Sequence, residues 1–189
     1  MGSSDIQFAK YRMPAVPRLK TVTLPPATLI ARAESGEPAR VVFDTNVLLS
    51  LWVFDDSRFA PLRSRIDQGE WIALTDEHCM AEFQRVLCYE QFKLSAETQA
   101  QLHVNYSNVA QSVNVRKSFS APLPRCSDRD DQKFLELARN ANAGWLVTAD
   151  KALLKMARRI RQVALFSIVT PDAVLAGLDL VATQAVPRP

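Results

Sequence analysis

The chain has 189 residues, a formal net charge of +3 and 48% apolar residues. That is enough to bury one core, and no continuous apolar stretch approaches the roughly 20 residues that cross a bilayer. The three cysteines, Cys79, Cys88 and Cys126, are odd in number and lack a C-x-x-C spacing, which excludes a disulfide framework and a zinc site and leaves them as expected buried thiols. His78 and His103 have no partner motif and are expected at the surface or in packing, so a Ser-His-Asp or Cys-His mechanism has no support. The start lacks the basic-then-apolar pattern of a secretory signal, and a cytoplasmic protein is the expectation.

Residues 1–39 read as a Pro-rich basic leader, extended or partly disordered, because five prolines from Pro14 to Pro38 interrupt any regular element. From Arg40 the pattern alternates. Val41 to Phe43 predicts a buried strand, followed by a short helix near Asn46 to Val53, a helix over Pro61 to Gln68 stopped by Gly69, and a strand over Trp71 to Leu74. Thr75 or Asp76 would cap a helix whose apolar stripe is Met80, Phe83, Val86 and Leu87. Residues 95–113 read as a further helix capped by Ser95, and Pro122 and Pro124 mark residues 118–125 as a loop. A helix starting at Ser127 or Asp128 buries Phe134, Leu135, Leu137 and Ala138. Then come a strand over Trp145 to Thr148, a basic helix from Lys151, a strand over Val163 to Val169, and a last helix opened by Thr170 and Pro171. Residues 183–189 read as a tail. Strands alternating with helices in this way predict an α/β domain over residues 40–182, with a parallel sheet and helices on both faces.

Two of the predicted strands end on an acid. Asp44 follows Phe43 directly, and Asp150 follows Thr148 and Ala149. Ligands in open α/β sheets collect beyond the carboxyl ends of the strands, so these carboxylates are delivered where chemistry is done. Between them lie Glu82 on a predicted helix and the cluster Asp128, Asp130 and Asp131 at the head of another. If the fold brings them together, crowded carboxylates must hold protons or bind cations, and hard divalent cations take oxygen ligands. Lys151, Lys155, Arg158, Arg159 and Arg161 follow Asp150, with 151, 155 and 159 on one helix face. They read either as a solvated face or as cations for the phosphate backbone of a polyanionic substrate.

The order of elements and acids resembles the PIN domain family over roughly residues 40 to 180. The likeness lies in Phe43, Asp44, Thr45, Asn46 and Val47 after the first strand and in Ala81, Glu82 and Phe83 backed by Val86 and Leu87. It continues in Asp128 to Asp131 followed by Lys133, Phe134, Leu135, Leu137 and Ala138, and in Leu146, Val147, Thr148, Ala149 and Asp150. The resemblance implies a three-layer sandwich around a parallel sheet of four to five strands. It implies a metal-dependent endoribonuclease in which Asp44, Glu82, Asp131 and Asp150 are catalytic and bind Mg2+ or Mn2+. Asp128 is a further candidate ligand; Arg129 replaces a proline of the family pattern, which leaves Asp128 and Asp130 as reserves for Asp131. Thr45, Asn46 and Thr148 fit the polar residues that support such ligands, and Lys151, Lys155, Arg158 and Arg159 would meet the RNA backbone.

The implied reaction is hydrolysis of an RNA phosphodiester by metal-activated water, leaving a 3'-hydroxyl and a 5'-phosphate. Family habit adds a homodimer and a toxin paired with an antitoxin protein. Helix capping competes for Asp44 and Asp150, an exposed helix position for Glu82, and the helix dipole for the aspartates at 128, 130 and 131. Asp55, Asp56, Asp76, Glu77 and Asp172 have only structural readings, and Trp52, Phe54 and Phe59 read as core or a partner contact. The alternatives are a non-catalytic PIN-like module that binds RNA or protein, and a haloacid-dehalogenase-like phosphatase. The latter needs a second Asp where this chain has Asn46. Dinucleotide binding is disfavoured, as no G-x-G-x-x-G follows the first strand.

Overall fold

The computed structural model describes residues 38–114, 123–163 and 166–184, the side chains beyond 178 excepted. The expected leader, apart from its last two residues, and the end of the tail lie outside these residues. Five strands form one all-parallel sheet: β1 Ala39–Phe43, β2 Trp71–Thr75, β3 Ala110–Ser112, β4 Trp145–Val147 and β5 Ser167–Val169, in the spatial order β3-β2-β1-β4-β5. The described residues also form seven α-helices, six between the strands and one after β5: α1 Thr45–Leu48, α2 Ala60–Asp67, α3 Glu77–Leu87, α4 Ala96–Val109, α5 Gln132–Asn140, α6 Lys151–Gln162 and α7 Pro171–Gln184.

The strand period of two sorts the core into two layers. Val41, Phe43, Trp71, Ala73, Trp145, Val147 and Val169 face one way, against Leu49, Trp52, Phe59, Leu62, Phe83 and Tyr106. Val42, Leu74, Leu146 and Ile168 face the other, against Phe134, Leu135 and Leu137 of α5 and Leu153, Met156 and Ile160 of α6. The result is the expected three-layer sandwich. Edge-to-face rings tie the first layer together, with Tyr106 centred 5.0 Å from Trp52 and 5.4 Å from Phe83, and Trp71 centred 5.4 Å from Trp145. Leu146 is fully buried in a central strand, and Leu146→Ala is expected to cost about 2–5 kcal/mol, read from the denaturation midpoint. A loss under 1 kcal/mol would mean that the layer under α5 and α6 is loosely packed.

Most element boundaries agree with the sequence within a residue or two, and four differ for physical reasons. The strand read over Val163 to Val169 begins only at Ser167, because α6 runs to Gln162 and Val163 closes it, its amide donating to Ile160 O at 3.1 Å. The helix read over 95–113 stops at Val109, and Ala110–Ser112 become β3, in parallel register with Ala73 to Thr75. An edge strand with one wet side needs no apolar run, so Ala-Gln-Ser carries no strand pattern. The helix read from Ser127 or Asp128 starts only at Gln132. Here Asp128 Oδ1 accepts from the Asp130 amide at 2.9 Å, and Gln132 Oε1 accepts from the Cys126 amide at 2.7 Å, so side chains hold a turn where a helix would otherwise begin. The short helix after β1 widens into a π-helical turn over Leu49–Val53, a geometry concentrated at functional sites. Of the cysteines, Cys79 and Cys126 are buried, whereas Cys88 is exposed at the end of α3. Phe54 is also exposed, stacked edge-on to Phe92. Among the described residues no helix is long and apolar enough to cross a membrane.

Candidate functional site

The strand order reverses at β1. The chain lays β2 and β3 on one side of it, then returns to place β4 and β5 on the other. Connections leaving β1 and β4 therefore diverge, and the crevice between their carboxyl ends is where such sheets bind ligands. Asp44 continues β1 into this crevice, its amide donating to Val147 O at 3.1 Å, so the acid stays in line with β4.

Asp44 is 2% exposed. Its Oδ1 accepts from the Val47 amide at 3.0 Å, capping α1, and its Oδ2 accepts from the Thr148 hydroxyl across the crevice. Burial lifts its pKa to about 7; the bonds from Thr148 and Val47 oppose the rise, and the charges of Asp131 and Asp150 add to it. Asp131 is buried just ahead of α5 and caps nothing with its side chain. Asp150 is the N-cap of α6, where Oδ1 accepts from the amides of Ala152 at 2.6 Å and Leu153 at 3.2 Å. Its own amide donates to Thr148 Oγ1 at 2.9 Å, which makes Thr148 the link between Asp44 and Asp150. Two of the acids singled out in the sequence, Asp131 and Asp150, are thus within electrostatic reach of a third, Asp44.

Glu82 joins them indirectly. It is buried on α3, and its Oε1 accepts from the hydroxyl of Thr45, the neighbour of Asp44, at 2.8 Å. Its Oε2 is paired with Lys133 Nζ, which also donates to the main-chain oxygen of Asp130. Asp130 is exposed, and Asp128 is spent on its own turn. Lys133 is the residue whose role the sequence reading missed. A lysine in the first turn opposes the helix dipole, and that misplacement is the signal that could have marked it. Lys151, Lys155, Arg158, Arg159 and Arg161 are all exposed on α6, whose other face buries Leu153, Met156 and Ile160. The structural readings hold elsewhere: Asp76 caps α3 through the Cys79 amide at 2.8 Å, and Asp56 pairs with Arg58.

The fit to a metal can be tested on these side chains. Among the described residues no three His, Cys, Asp or Glu side chains stand close enough to close around a bare ion. A hydrated ion needs less, since Mg2+ usually takes one or two carboxylates and keeps several waters. The donors suit that case: a buried carboxylate is crowded by two others, and Asn46 Oδ1, two residues on, is buried without a hydrogen-bond partner among the described residues.

A parallel α/β sheet with buried carboxylates at its switch point is a nuclease-like arrangement. A family model for the PIN domain matches residues 40–152, more than half of the chain, and the chain belongs to the PIN domain family. PIN domains are generally nucleases and typically use divalent metals. No curated protein and no solved structure matches the chain.

Proposed function

We propose that this protein is a Mg2+- or Mn2+-dependent endoribonuclease. The observation that carries the reading is Asp44, a buried carboxylate at the switch point whose pKa is pushed to about 7 by burial and by the charges of Asp131 and Asp150. Such a group is held against its own electrostatics and gains most from a cation. Asp44 together with one of Asp131 and Asp150 would hold the ion, with waters completing its shell. When bound, a divalent cation supplies the Lewis-acid charge that activates a water and offsets the charge developing on a phosphodiester.

The remaining residues orient and bind. Thr148 and the Val47 amide fix the carboxyl group of Asp44, and Thr45 ties Glu82 to the same cluster. Lys151, Lys155, Arg158 and Arg159 extend from Asp150 along about 12 Å of helix, a spacing that suits successive backbone phosphates. Lys151→Ala/Lys155→Ala is expected to reduce the slope of log affinity against log salt for single-stranded RNA by about 1.4. An unchanged slope in filter binding would return α6 to the role of a solvated face.

RNA incubated with the protein in Mn2+ should be cut to 5'-phosphate and 3'-hydroxyl ends, and chelator should abolish cutting. Cleavage that persists in chelator, or 2',3'-cyclic phosphate ends, would sink the proposal. RNA bound but uncut in every divalent metal would instead make this a binding module. A toxin role extends the reading, and growth arrest on expression, relieved by Asp44→Asn, is its separate test.

A further inference from the structure

Phe54 is 51% exposed, the largest exposure of any large apolar side chain among the described residues, and it does not stand alone. Its ring meets that of the half-buried Phe92 edge-on, with centroids 5.7 Å apart. The two rings end two neighbouring segments. Thr45 bonds to Glu82 beside the crevice, and nine residues on in one segment and ten in the other Phe54 meets Phe92, so the pair lies on the order of 10 Å from the candidate site. Each phenylalanine is followed directly by a non-glycine residue in the left-handed backbone region, Asp55 at φ 45° and Lys93 at φ 51°. Such backbone persists where the surroundings impose it, and here it turns the chain behind each ring, with an acid beside one ring and a base beside the other. Both charges are exposed, and among the described residues neither has an ion-pair partner, whereas Asp56 is spent on Arg58 and Arg85 on the Tyr89 hydroxyl.

We propose that the Phe54 and Phe92 surface joins two copies of this chain across a two-fold axis, with the rings of both copies at the centre and Asp55 of each copy facing Lys93 of the other. Charge complementarity singles out a second copy. A two-fold contact sets one patch against itself, so it closes only where the patch carries its own complement. An aromatic centre with an acid on one side and a base on the other meets that condition, and one axis matches both charges at once. RNA would meet Asp55 as a like charge. No residue of the candidate site takes part, so the contact stands apart from the nuclease reading.

Sedimentation equilibrium of the full-length chain at low ionic strength, from low to high micromolar chain concentration, tests it. The wild-type protein should sediment as a monomer and dimer in equilibrium, and Phe54→Ser should weaken the dimer by about thirtyfold or more, since each copy loses an anchor. Asp55→Lys and Lys93→Asp should each weaken it by about tenfold or more, because either change sets like charges face to face twice. Both positions are exposed, and each receives the residue type that already adopts left-handed backbone at the other, so both variants should fold. An equimolar mixture of these two variants should dimerise again, with a Kd within about fivefold of the wild type, as should the double reversal Asp55→Lys/Lys93→Asp. A wild-type protein that stays monomeric throughout, a dimer that Phe54→Ser leaves intact, single reversals that dimerise like the wild type, or a mixture no tighter than its separate components would each overturn the two-fold contact. The first of these would leave the surface to a different protein.

Discussion

The Asp44→Asn protein is expected to lose RNA cleavage by a factor on the order of 10²–10³ and, at about pH 8 without metal, to be more stable than the wild type. Both effects come from one cause. In the unfolded chain Asp44 ionises near 3.8, and in the folded protein near 7, so the folded state binds the proton more tightly. Its folding penalty is therefore absent below about pH 4, grows as pH rises, and is complete above about 7. The shift corresponds to about 4 kcal/mol. An asparagine has no charge to bury but leaves one of the donors, Thr148 or Val47, less well matched, so a net gain of about 2–3 kcal/mol is expected. Denaturation curves from pH 4 to about 8 check it: the wild type should weaken across this range relative to Asp44→Asn. Parallel pH profiles would mean that Asp44 is solvated in the folded protein and is no site of stored charge.

Lys133→Met is expected to destabilise the metal-free protein by about 3–5 kcal/mol, because it leaves Glu82 charged, buried and without its cation. Replacing both members, as in Glu82→Met/Lys133→Met, should cost far less, within about 1–2 kcal/mol of the wild type, since two buried charges are exchanged for apolar volume. Denaturant midpoints of the two variants give the comparison. A single variant that loses under 1 kcal/mol would show that water reaches Glu82 and that the pair behaves like a surface one.

The sequence carried the parts of this site that depend on periodicity. Val41 to Asp44 and Trp145 to Asp150 were legible because fully buried parallel strands are continuous apolar runs, and an acid at the end of such a run stands out. Thr148 was legible only as a supporting polar residue; its bonds to Asp44 and Asp150 depend on the pairing of two strands far apart in sequence. β3 escaped because a short edge strand beside solvent needs no apolar pattern. The start of α5 was misread because Asp128 and Gln132 spend their side chains on backbone groups, a local competition that helix propensity does not register. Lys133 escaped for a related reason: a charge looks solvated until the fold supplies its partner, here Glu82 from a helix some fifty residues earlier.

Of the described strands the central β1 is made first, yet its neighbour β4 comes about a hundred residues later. Asp44 and Thr148, the pair that bridges the crevice, are 104 positions apart, so the loop they close is among the last that a growing chain can pay for in entropy. A nascent chain that has not yet released β4 holds Asp44 as an ordinary solvated aspartate, with neither its burial nor its neighbours. If the protein is the endoribonuclease proposed above, the chain that threads through the ribosome carries no working centre until the sheet has closed.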